Sequence, residues 1–226
     1  LIAKIERAEA IPRLEEILAA SDGIMVARGD LAVEVGNAAV PALQKRMIKL
    51  AKAHDKVVIT ATQMMESMIT NPVPTRAEVS DVANAVLDGT DAVMLSAETA
   101  AGSYPVETIA AMARVCLEAE KEDTFAVERR RTDLPESVEE AIARATIFTS
   151  NSLNIKAVAA LTQSGKTALL MSRMNTRVPI YALSSVIETR RRVTLFRGVY
   201  PINFKGARNP ERALHIAEDE LLDRKS

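Results

Sequence analysis

The chain has 226 residues and a formal net charge of −1 at pH 7, with 48% hydrophobic and 26% charged residues. This is the composition of an ordinary globular protein, long enough for one large domain or two small ones. The near-neutral charge gives no electrostatic case for nucleic acid or an anionic membrane, and no apolar run approaches the roughly 20 residues of a membrane span. Cys116 is the only cysteine, so an internal disulfide is excluded and a reducing cytoplasm is expected.

The first 121 residues alternate short apolar runs with longer amphipathic segments, which predicts four strand–helix units in succession. Thr75 and Glu78 have the spacing of a helix-starting capping box, and Gly89 predicts the end of that helix. Pro12 fits only a first helical turn, which would move the start of its helix toward Ile11. The predicted strands are residues 1–5, 23–26, 57–59 and 92–95, and the predicted helices are residues 8–20, 41–53, 75–88 and 106–121.

Four such units in a row predict parallel strands joined by right-handed crossovers. Each predicted strand ends in small or polar residues, as expected for half of a (β/α)8 barrel with its site at the carboxyl ends of the strands. An open, doubly wound sheet is the competing fold. No glycine fingerprint for a dinucleotide follows any predicted strand, which weakens that alternative.

Residues 123–135 are charged and lack apolar periodicity, which predicts a linker between a partial barrel at residues 1–122 and an incomplete α/β domain at residues 136–226. In this second domain the predicted strands are residues 157–161, 179–183 and 199–204, and the predicted helices are residues 137–150, 168–174, 189–196 and one from Asn209-Pro210 onward. The chain opens without an initiator Met and stops where a further strand would be expected. We therefore expect it to be part of a larger protein.

Charged side chains follow the first two predicted strands. Lys4 and Glu6 are two residues apart on a strand and so share a face. After the second strand, Gly29 permits close approach to the backbone and Asp30 offers a hard oxygen ligand. In α/β folds, ligands bind at this end of the strands. The alternatives are a surface ion pair and a solvated turn, and these residues alone leave both open.

Six segments, in register along the chain, together resemble the pyruvate kinase family. They are IAKIE at residues 2–6, IMVARGDL at 24–31, ITATQMMESM at 59–68, PTRAE at 74–78, DVANAVLDG at 81–89, and MLS with the following Glu98-Thr99 at 94–99. Residues 162–174 resemble the regulatory domain of the bacterial members. The resemblance implies the C-terminal half of a (β/α)8 barrel followed by a smaller α/β regulatory domain. It also implies phosphoryl transfer from phosphoenolpyruvate to ADP in glycolysis.

The resemblance also implies roles for single residues. Lys4 matches the lysine that stabilises the transferring phosphoryl group and the enolate, and Glu6 and Asp30 match the carboxylates that hold Mg²⁺ or Mn²⁺. The backbone at Ala27, Gly29 and Asp30 matches the donors to the substrate carboxylate. Thr62 matches the threonine beside that carboxylate and the carbon to be protonated, and it is expected to be both a catalytic and a substrate-binding residue.

A small-residue loop opens a helix in the second domain and consists of Thr162, Ser164, Gly165, Lys166 and Thr167 around Gln163. The exposed amides and dipole of a helix start can bind phosphate. The loop lacks the first glycine of a P-loop, so an ATP site is not predicted. The resemblance instead implies the phosphate of an allosteric effector. The alternative is a capped helix start without a ligand.

The chain departs from the family pattern at several points. Four parts of the family pattern lie outside this chain. They are the first half of the barrel, the residues expected to hold K⁺, the nucleotide-covering domain and the final strands of the regulatory domain. Ala32 stands where glycine is common, and Ala101 stands where some members carry lysine. We expect a cytoplasmic homotetramer that binds ADP and ATP, and we expect these 226 residues alone to be inactive. Two other interpretations stay open: a different Mg²⁺-dependent barrel enzyme acting on phosphoenolpyruvate or a keto acid, and a non-catalytic assembly fragment.

Overall fold

The computed structural model describes residues 1–122, 134–153, 155–174, 176–205, 215–216 and 218. The chain divides into two compact units, Leu1–Val127 and Glu128–Ser226. Nearly all of the predicted linker at residues 123–135 and most of the predicted helix from Asn209-Pro210 onward lie outside the described residues. The predicted domain bounds therefore stay predictions. Among the helices described, none is both long and apolar enough to cross a membrane.

The first unit is built on four parallel strands that pair in chain order, as the sequence predicts. The strands are β1 (Ile2–Ile5), β2 (Gly23–Ala27), β3 (Val57–Ala61) and β4 (Ala92–Met94). The helices are α1 (Leu14–Ala20), α2 (Arg28–Val35), α3 (Val40–Ala53), α4 (Arg76–Asp88), α5 (Ala97–Ala100) and α6 (Pro105–Ala119). Strand and helix alternate along most of this unit, so the strands can all run in one direction.

The core of this unit lies between the sheet and its helices. Ile24, Val26 and Val58 of the central strands pack with buried residues of α1 and α3, including Leu18 and Met47. Each such side chain contributes about 1.5–3 kcal/mol when it is removed from water. The pairing of β2 with β3 leaves no room at its start: a Cβ on residue 23 would lie 2.6 Å from the Val57 carbonyl oxygen, so glycine is needed there.

Several helical segments of the first unit differ from the sequence prediction, and one of them is the short helix α5, which was not predicted. The expected helix at residues 8–20 is a 3-10 turn at Ala8–Ala10 followed by α1, since Pro12 fits only a first turn and separates the two. Helix α2 was not predicted at all. Its apolar residues Leu31, Val33 and Val35 alternate like those of a strand, yet Leu31 is fully buried and Val33 is 87% exposed. Packing of Leu31 therefore overrides the local pattern.

The start of α4 confirms the predicted capping box. The Glu78 backbone N–H donates to Thr75 Oγ1 at 3.2 Å, and the Thr75 backbone N–H donates to Glu78 Oε2 at 2.7 Å. The Glu78 carboxylate also accepts from the backbone N–H of Ser67 at 2.7 Å and from the Ser67 hydroxyl at 2.6 Å. At the other end, Gly89 adopts the left-handed conformation expected of a C-cap. Glu78 therefore links α4 to the segment after β3.

The second unit has a three-stranded parallel sheet in the order β5 (Val158–Leu161), β6 (Ile180–Ser184) and β7 (Val199–Asn203). Its helices are α7 (Val138–Ser152), α8 (Lys166–Ser172) and α9 (Ile187–Val193). The side chains of Leu183, Ile202 and Phe204 form a buried cluster. Gly165, before α8, has a φ of 85°, and a Cβ there would lie 2.9 Å from Val193. The turn between β5 and α8 therefore depends on a glycine.

The Glu78 contacts generate a pH-dependent prediction. Partial burial by itself would raise the pKa of Glu78, but hydrogen bonds from Ser67 and Thr75 outweigh it and hold the pKa below its ordinary value. A lowered pKa in the folded state stabilises the protein above the ordinary glutamate pKa, and this contribution is lost as pH falls through the lowered value. Glu78→Gln is expected to cost about 1 kcal/mol at neutral pH, because the hydrogen bonds from Ser67 and Thr75 would lose their charged acceptor.

Urea unfolding followed by far-UV circular dichroism, from pH 7 downward, measures this difference. The gap between the parent protein and Glu78→Gln should shrink as pH falls. Glu107→Gln is the matched control, because Glu107 is an exposed glutamate in the first turn of α6. A gap that stays constant with pH would contradict the assigned role of the Glu78 charge.

Candidate active site at the carboxyl ends of the barrel strands

A lysine lies between two carboxylates at the carboxyl ends of β1 and β2. The Lys4 ammonium contacts a carboxylate oxygen of Glu6 and lies 3.0 Å from Asp30 Oδ2. Lys4 belongs to β1, Glu6 follows it directly, and Asp30 is in the first turn of α2. All three side chains are accessible to solvent. The structure thus brings together the predicted catalytic lysine and the two predicted metal ligands, whose roles stay predictions.

The charges of this cluster reinforce one another. Hydrogen bonds to Glu6 and to Asp30 hold the pKa of the Lys4 ammonium above its ordinary value. The hydrogen bond from Lys4, and then its charge, hold the pKa of Asp30 below its usual range. At neutral pH, Lys4 is therefore a cation and Asp30 an anion. Two carboxylates facing one ammonium leave an excess of negative charge that suits a further cation.

Glu6 and Asp30 have the right chemistry for Mg²⁺. Both present oxygen donors, and both reach the same ammonium, so their carboxylates converge on one region. Within the described ranges, no group of three or more His, Cys, Asp or Glu side chains is placed to hold a metal. Mg²⁺ in phosphoryl-transfer sites commonly uses one or two carboxylates together with substrate oxygens and waters. The pair therefore fits this ion without a third protein ligand.

Thr62 joins the site through the first turn of α2. The Gly29 backbone N–H donates to Thr62 Oγ1 at 2.9 Å, and the Thr62 hydroxyl donates to the Ala61 carbonyl at 2.7 Å. The structure therefore places the predicted substrate-binding residues next to one another: Ala27, Gly29, Asp30 and Thr62. In this structure the Gly29 amide is engaged by Thr62, so its predicted contact with a substrate carboxylate stays a prediction.

The backbone after β3 is strained. Thr62 has a φ of 67° and Gln63 a φ of 53°, so two consecutive non-glycine residues occupy the left-handed region. Such conformations cost of order 1–3 kcal/mol each, and they are especially unfavourable for a β-branched residue such as threonine. Surrounding contacts must offset this cost. Contacts from outside the turn must therefore hold it in this conformation.

The sequence interpretation missed the residue that holds this turn. The Arg28 guanidinium is 8% exposed and donates to the Thr62 carbonyl at 2.8 Å and the Gln63 carbonyl at 3.2 Å, while its other side pairs with Asp81 at 2.6 Å. No role was assigned to Arg28 from the sequence. The signal that could have found it is a cation placed directly after a strand buried on both faces.

Glu98 is a buried carboxylate next to the site. It is 2% exposed, and its carboxylate accepts from the backbone N–H groups of Ser96 at 2.7 Å and Met65 at 3.2 Å. These contacts link the segment after β3 to the segment after β4. The carboxylate is thus engaged with the backbone, which fixes the spacing of two neighbouring strand ends.

The predicted effector loop is capped by its own side chains. Thr162 Oγ1 accepts from the Gly165 N–H at 2.9 Å, and Ser164 Oγ accepts from the Lys166 N–H at 3.3 Å. A hydrogen bond from its own backbone N–H and the charge of Lys166 hold the pKa of Glu139 below its ordinary value. This is the geometry of a capped helix start with a nearby acidic group. The phosphate-binding role of these residues and of Thr167 stays a prediction.

Comparison with known proteins identifies the family. A family model described as "Pyruvate kinase, barrel domain" matches residues 1–109, and one described as "Pyruvate kinase, alpha/beta domain" matches residues 140–226. The chain belongs to the pyruvate kinase family. The expected fold class, half of a (β/α)8 barrel followed by a smaller α/β domain, is thereby confirmed.

Individual pyruvate kinases cover this chain almost completely. Pyruvate kinase II of Salmonella typhimurium is 52% identical over 229 residues, covering 99% of this chain and 48% of that protein. Pyruvate kinase of Haemophilus influenzae is 54% identical over 229 residues, which again cover 99% of this chain and 48% of that protein. A crystal structure of a pyruvate kinase from Cryptosporidium parvum superposes with a TM-score of 0.95 at 38% identity, covering 99% of this chain and 46% of that one. The chain thus spans about half the length of the curated relatives it matches.

Proposed function

We propose that this chain supplies half of the catalytic barrel of a pyruvate kinase, which transfers the phosphoryl group of phosphoenolpyruvate to ADP and gives pyruvate and ATP. The observation that carries the proposal is the convergence of Lys4, Glu6 and Asp30 at the carboxyl ends of β1 and β2. The relatives that carry the name pyruvate kinase support the same activity.

Lys4 supplies positive charge where the phosphoryl group leaves. Phosphoryl transfer requires little covalent chemistry from a protein, because catalysis rests on positioning and on stabilising charge in the transition state. The Lys4 ammonium is protonated at neutral pH, as an ordinary lysine is, and its hydrogen bonds to Glu6 and Asp30 raise its pKa further. Its contacts with Glu6 and Asp30 fix the position of the amine. Lys4 thereby stabilises the oxygens of the transferring group and the enolate that is left behind.

Glu6 and Asp30 hold Mg²⁺ or Mn²⁺ in this proposal. When bound, the ion neutralises negative charge on substrate oxygens. The two carboxylates already converge on a single cation, Lys4, so the site is arranged for positive charge. The contacts to K⁺ and to the nucleotide belong to parts of the whole enzyme beyond these 226 residues.

The amino end of α2 binds the carboxylate of the substrate. Backbone N–H groups in the first turn of a helix have no partner within that helix, and the helix dipole favours an anion there. Thr62 lies at hydrogen-bonding distance from the Gly29 amide and borders the same region. It therefore lies beside the substrate carboxylate and next to the carbon that receives a proton when the enolate becomes pyruvate.

The rest of the proposal concerns the whole enzyme. It is a cytoplasmic homotetramer, and a phosphorylated effector binds the loop of Thr162, Ser164, Gly165, Lys166 and Thr167. The supporting observation is that Gly165 holds this loop in a left-handed turn directly before α8. Such a turn presents backbone amides toward one side.

A hybrid enzyme tests the activity. Residues 1–226 replace the matched segment of Salmonella typhimurium pyruvate kinase II, and pyruvate formation is coupled to lactate dehydrogenase. We expect turnover that requires both phosphoenolpyruvate and ADP. A folded hybrid without such turnover, beside an active parent enzyme, would refute the proposal. Cleavage of a keto acid by the same hybrid would instead favour a lyase of related architecture.

The metal assignment predicts the behaviour of Asp30→Asn. Loss of one carboxylate charge should weaken Mn²⁺ binding to the hybrid at least about tenfold and raise the Mg²⁺ concentration needed for half-maximal activity. Electron paramagnetic resonance of free Mn²⁺ measures the binding directly. Asp55→Asn is the control, since Asp55 lies in the turn before β3, at the amino ends of the strands and therefore opposite the site. Equal Mn²⁺ affinity in both variants would show that Asp30 is no ligand.

The role of Lys4 predicts a loss of kcat rather than of binding. Lys4→Met removes charge that is useful mainly in the transition state, so kcat should fall about 10²- to 10³-fold while KM for phosphoenolpyruvate changes little. Exchange of the pyruvate methyl protons with solvent, followed by NMR in D₂O, should persist. Lys49→Met, on an exposed position of α3, should behave like the parent hybrid. An effect on KM alone would contradict the role.

The effector loop predicts a selective loss of activation. Lys166→Ala and Thr167→Ala should abolish the response to sugar phosphates and nucleoside monophosphates while leaving unstimulated turnover intact. Activation curves for the hybrid with each class of metabolite provide the measurement. Lys156→Ala is the control, because Lys156 is exposed before β5 at the other end of the strand. Activation that survives both loop variants would leave the loop with a structural role only.

A further inference from the structure

We propose that Arg28 is a positioning residue of the active site, and that it acts through Thr62. Its guanidinium holds the strained turn of Thr62 and Gln63, and this fixes the direction of the Thr62 hydroxyl. The inference rests on the proposed function, because Thr62 is a catalytic residue only if the chain forms part of a pyruvate kinase.

The turn cannot hold itself in place. Thr62 and Gln63 have φ values of 67° and 53°, a conformation that neither residue type favours. Left to local preference, both residues would return to negative φ, and the threonine side chain would then point elsewhere. An outlier of this kind persists only when its surroundings over-determine it.

Hydrogen bonds from the Arg28 side chain hold the turn in place. Its Nη2 donates to the Thr62 carbonyl at 2.8 Å and to the Gln63 carbonyl at 3.2 Å, and its Nε donates to the Thr62 carbonyl at 3.3 Å. The guanidinium thus binds the carbonyls of both strained residues at once. Its side chain is 8% exposed, so little water is available to compete for these hydrogen bonds.

Gly29, the residue after Arg28, also holds Thr62. While the Arg28 side chain binds the Thr62 carbonyl, the Gly29 backbone N–H donates to the Thr62 hydroxyl at 2.9 Å. Two consecutive residues of α2 therefore hold both the backbone and the side chain of Thr62. Loss of the Arg28 contacts would free the backbone, and the hydroxyl could then no longer keep a fixed direction beside the substrate.

The opposite side of the guanidinium is anchored as well. Nη1 lies 2.6 Å from a carboxylate oxygen of Asp81 on α4 and donates to Gln44 Oε1 on α3 at 3.4 Å. A planar fork can bridge Asp81 and two carbonyls simultaneously, whereas the point charge of a lysine cannot. Arginine is therefore specified at this position by geometry and not by charge alone.

A double-mutant cycle in the hybrid enzyme tests the dependence on Thr62. Arg28→Gln and Arg28→Lys are each expected to lower kcat about 10- to 100-fold. In a Thr62→Ala background, the same Arg28 substitutions should lower kcat less than about twofold further, since the residue acts through Thr62. Independent, multiplicative effects would overturn the inference. If Arg28→Gln does not fold, Arg28→Lys completes the cycle.

Hydrogen–deuterium exchange gives a readout that needs no activity. Peptides covering residues 61–66 should exchange at least about tenfold faster in Arg28→Lys than in the parent hybrid. Arg13→Lys is the matched control, because it makes the same change in an exposed arginine that pairs with Glu16 on the same unit, and it should leave this segment unchanged. Unchanged exchange in Arg28→Lys would overturn the inference. Faster exchange in a hybrid that cannot turn over phosphoenolpyruvate would uphold the positioning by Arg28 and refute the proposed function.

Discussion

Parallel pairing of β1, β2 and β3 is the constraint on which the site depends. The register places Lys4 beside Met25, and Ala27 beside Ala61, so successive strands end at the same edge of the sheet. Lys4, Asp30 and Thr62 are far apart in sequence, but this pairing brings them to the same end of the sheet. There Lys4 contacts Asp30, and Thr62 contacts the neighbouring Gly29. An antiparallel arrangement would have sent alternate strand ends to opposite edges and dispersed the same residues.

The apolar core and the polar edge are two consequences of this one arrangement. Strands covered on both faces must be apolar over their length, so charged groups are tolerated only where each strand ends. Lys4, Glu6 and Asp30 accordingly lie at or just beyond the carboxyl ends of β1 and β2. Arg28 is the exception, since it is buried, and it is tolerated there because carbonyl oxygens and carboxylates satisfy its donors. A buried charge of this kind is costly to leave half-paired, which makes its environment rigid.

Sequence reasoning succeeded where the signal is local. The four strands, the Thr75–Glu78 cap and the Gly89 terminus depend on residue spacing within a single element, and all three are confirmed. It failed for α2, because the pattern of Leu31, Val33 and Val35 is that of a strand and burial of Leu31 decides the outcome. The role of Arg28 was also missed, since its partners lie 16 to 53 positions away. Contacts at such separations exist only once the sheet has formed.

The first turn of α2 concentrates three different tasks in three successive residues. Arg28 turns its side chain to the backbone after β3, Gly29 offers its amide to a hydroxyl, and Asp30 presents its carboxylate to Lys4. Successive residues of a helix are separated by about 100°, so these groups face three directions from one rigid segment. A small rotation of α2 would therefore alter backbone support, hydrogen bonding and charge at the same moment. The orientation of α2 therefore sets the backbone support of the turn, the hydrogen bond to Thr62 and the position of the Asp30 charge together.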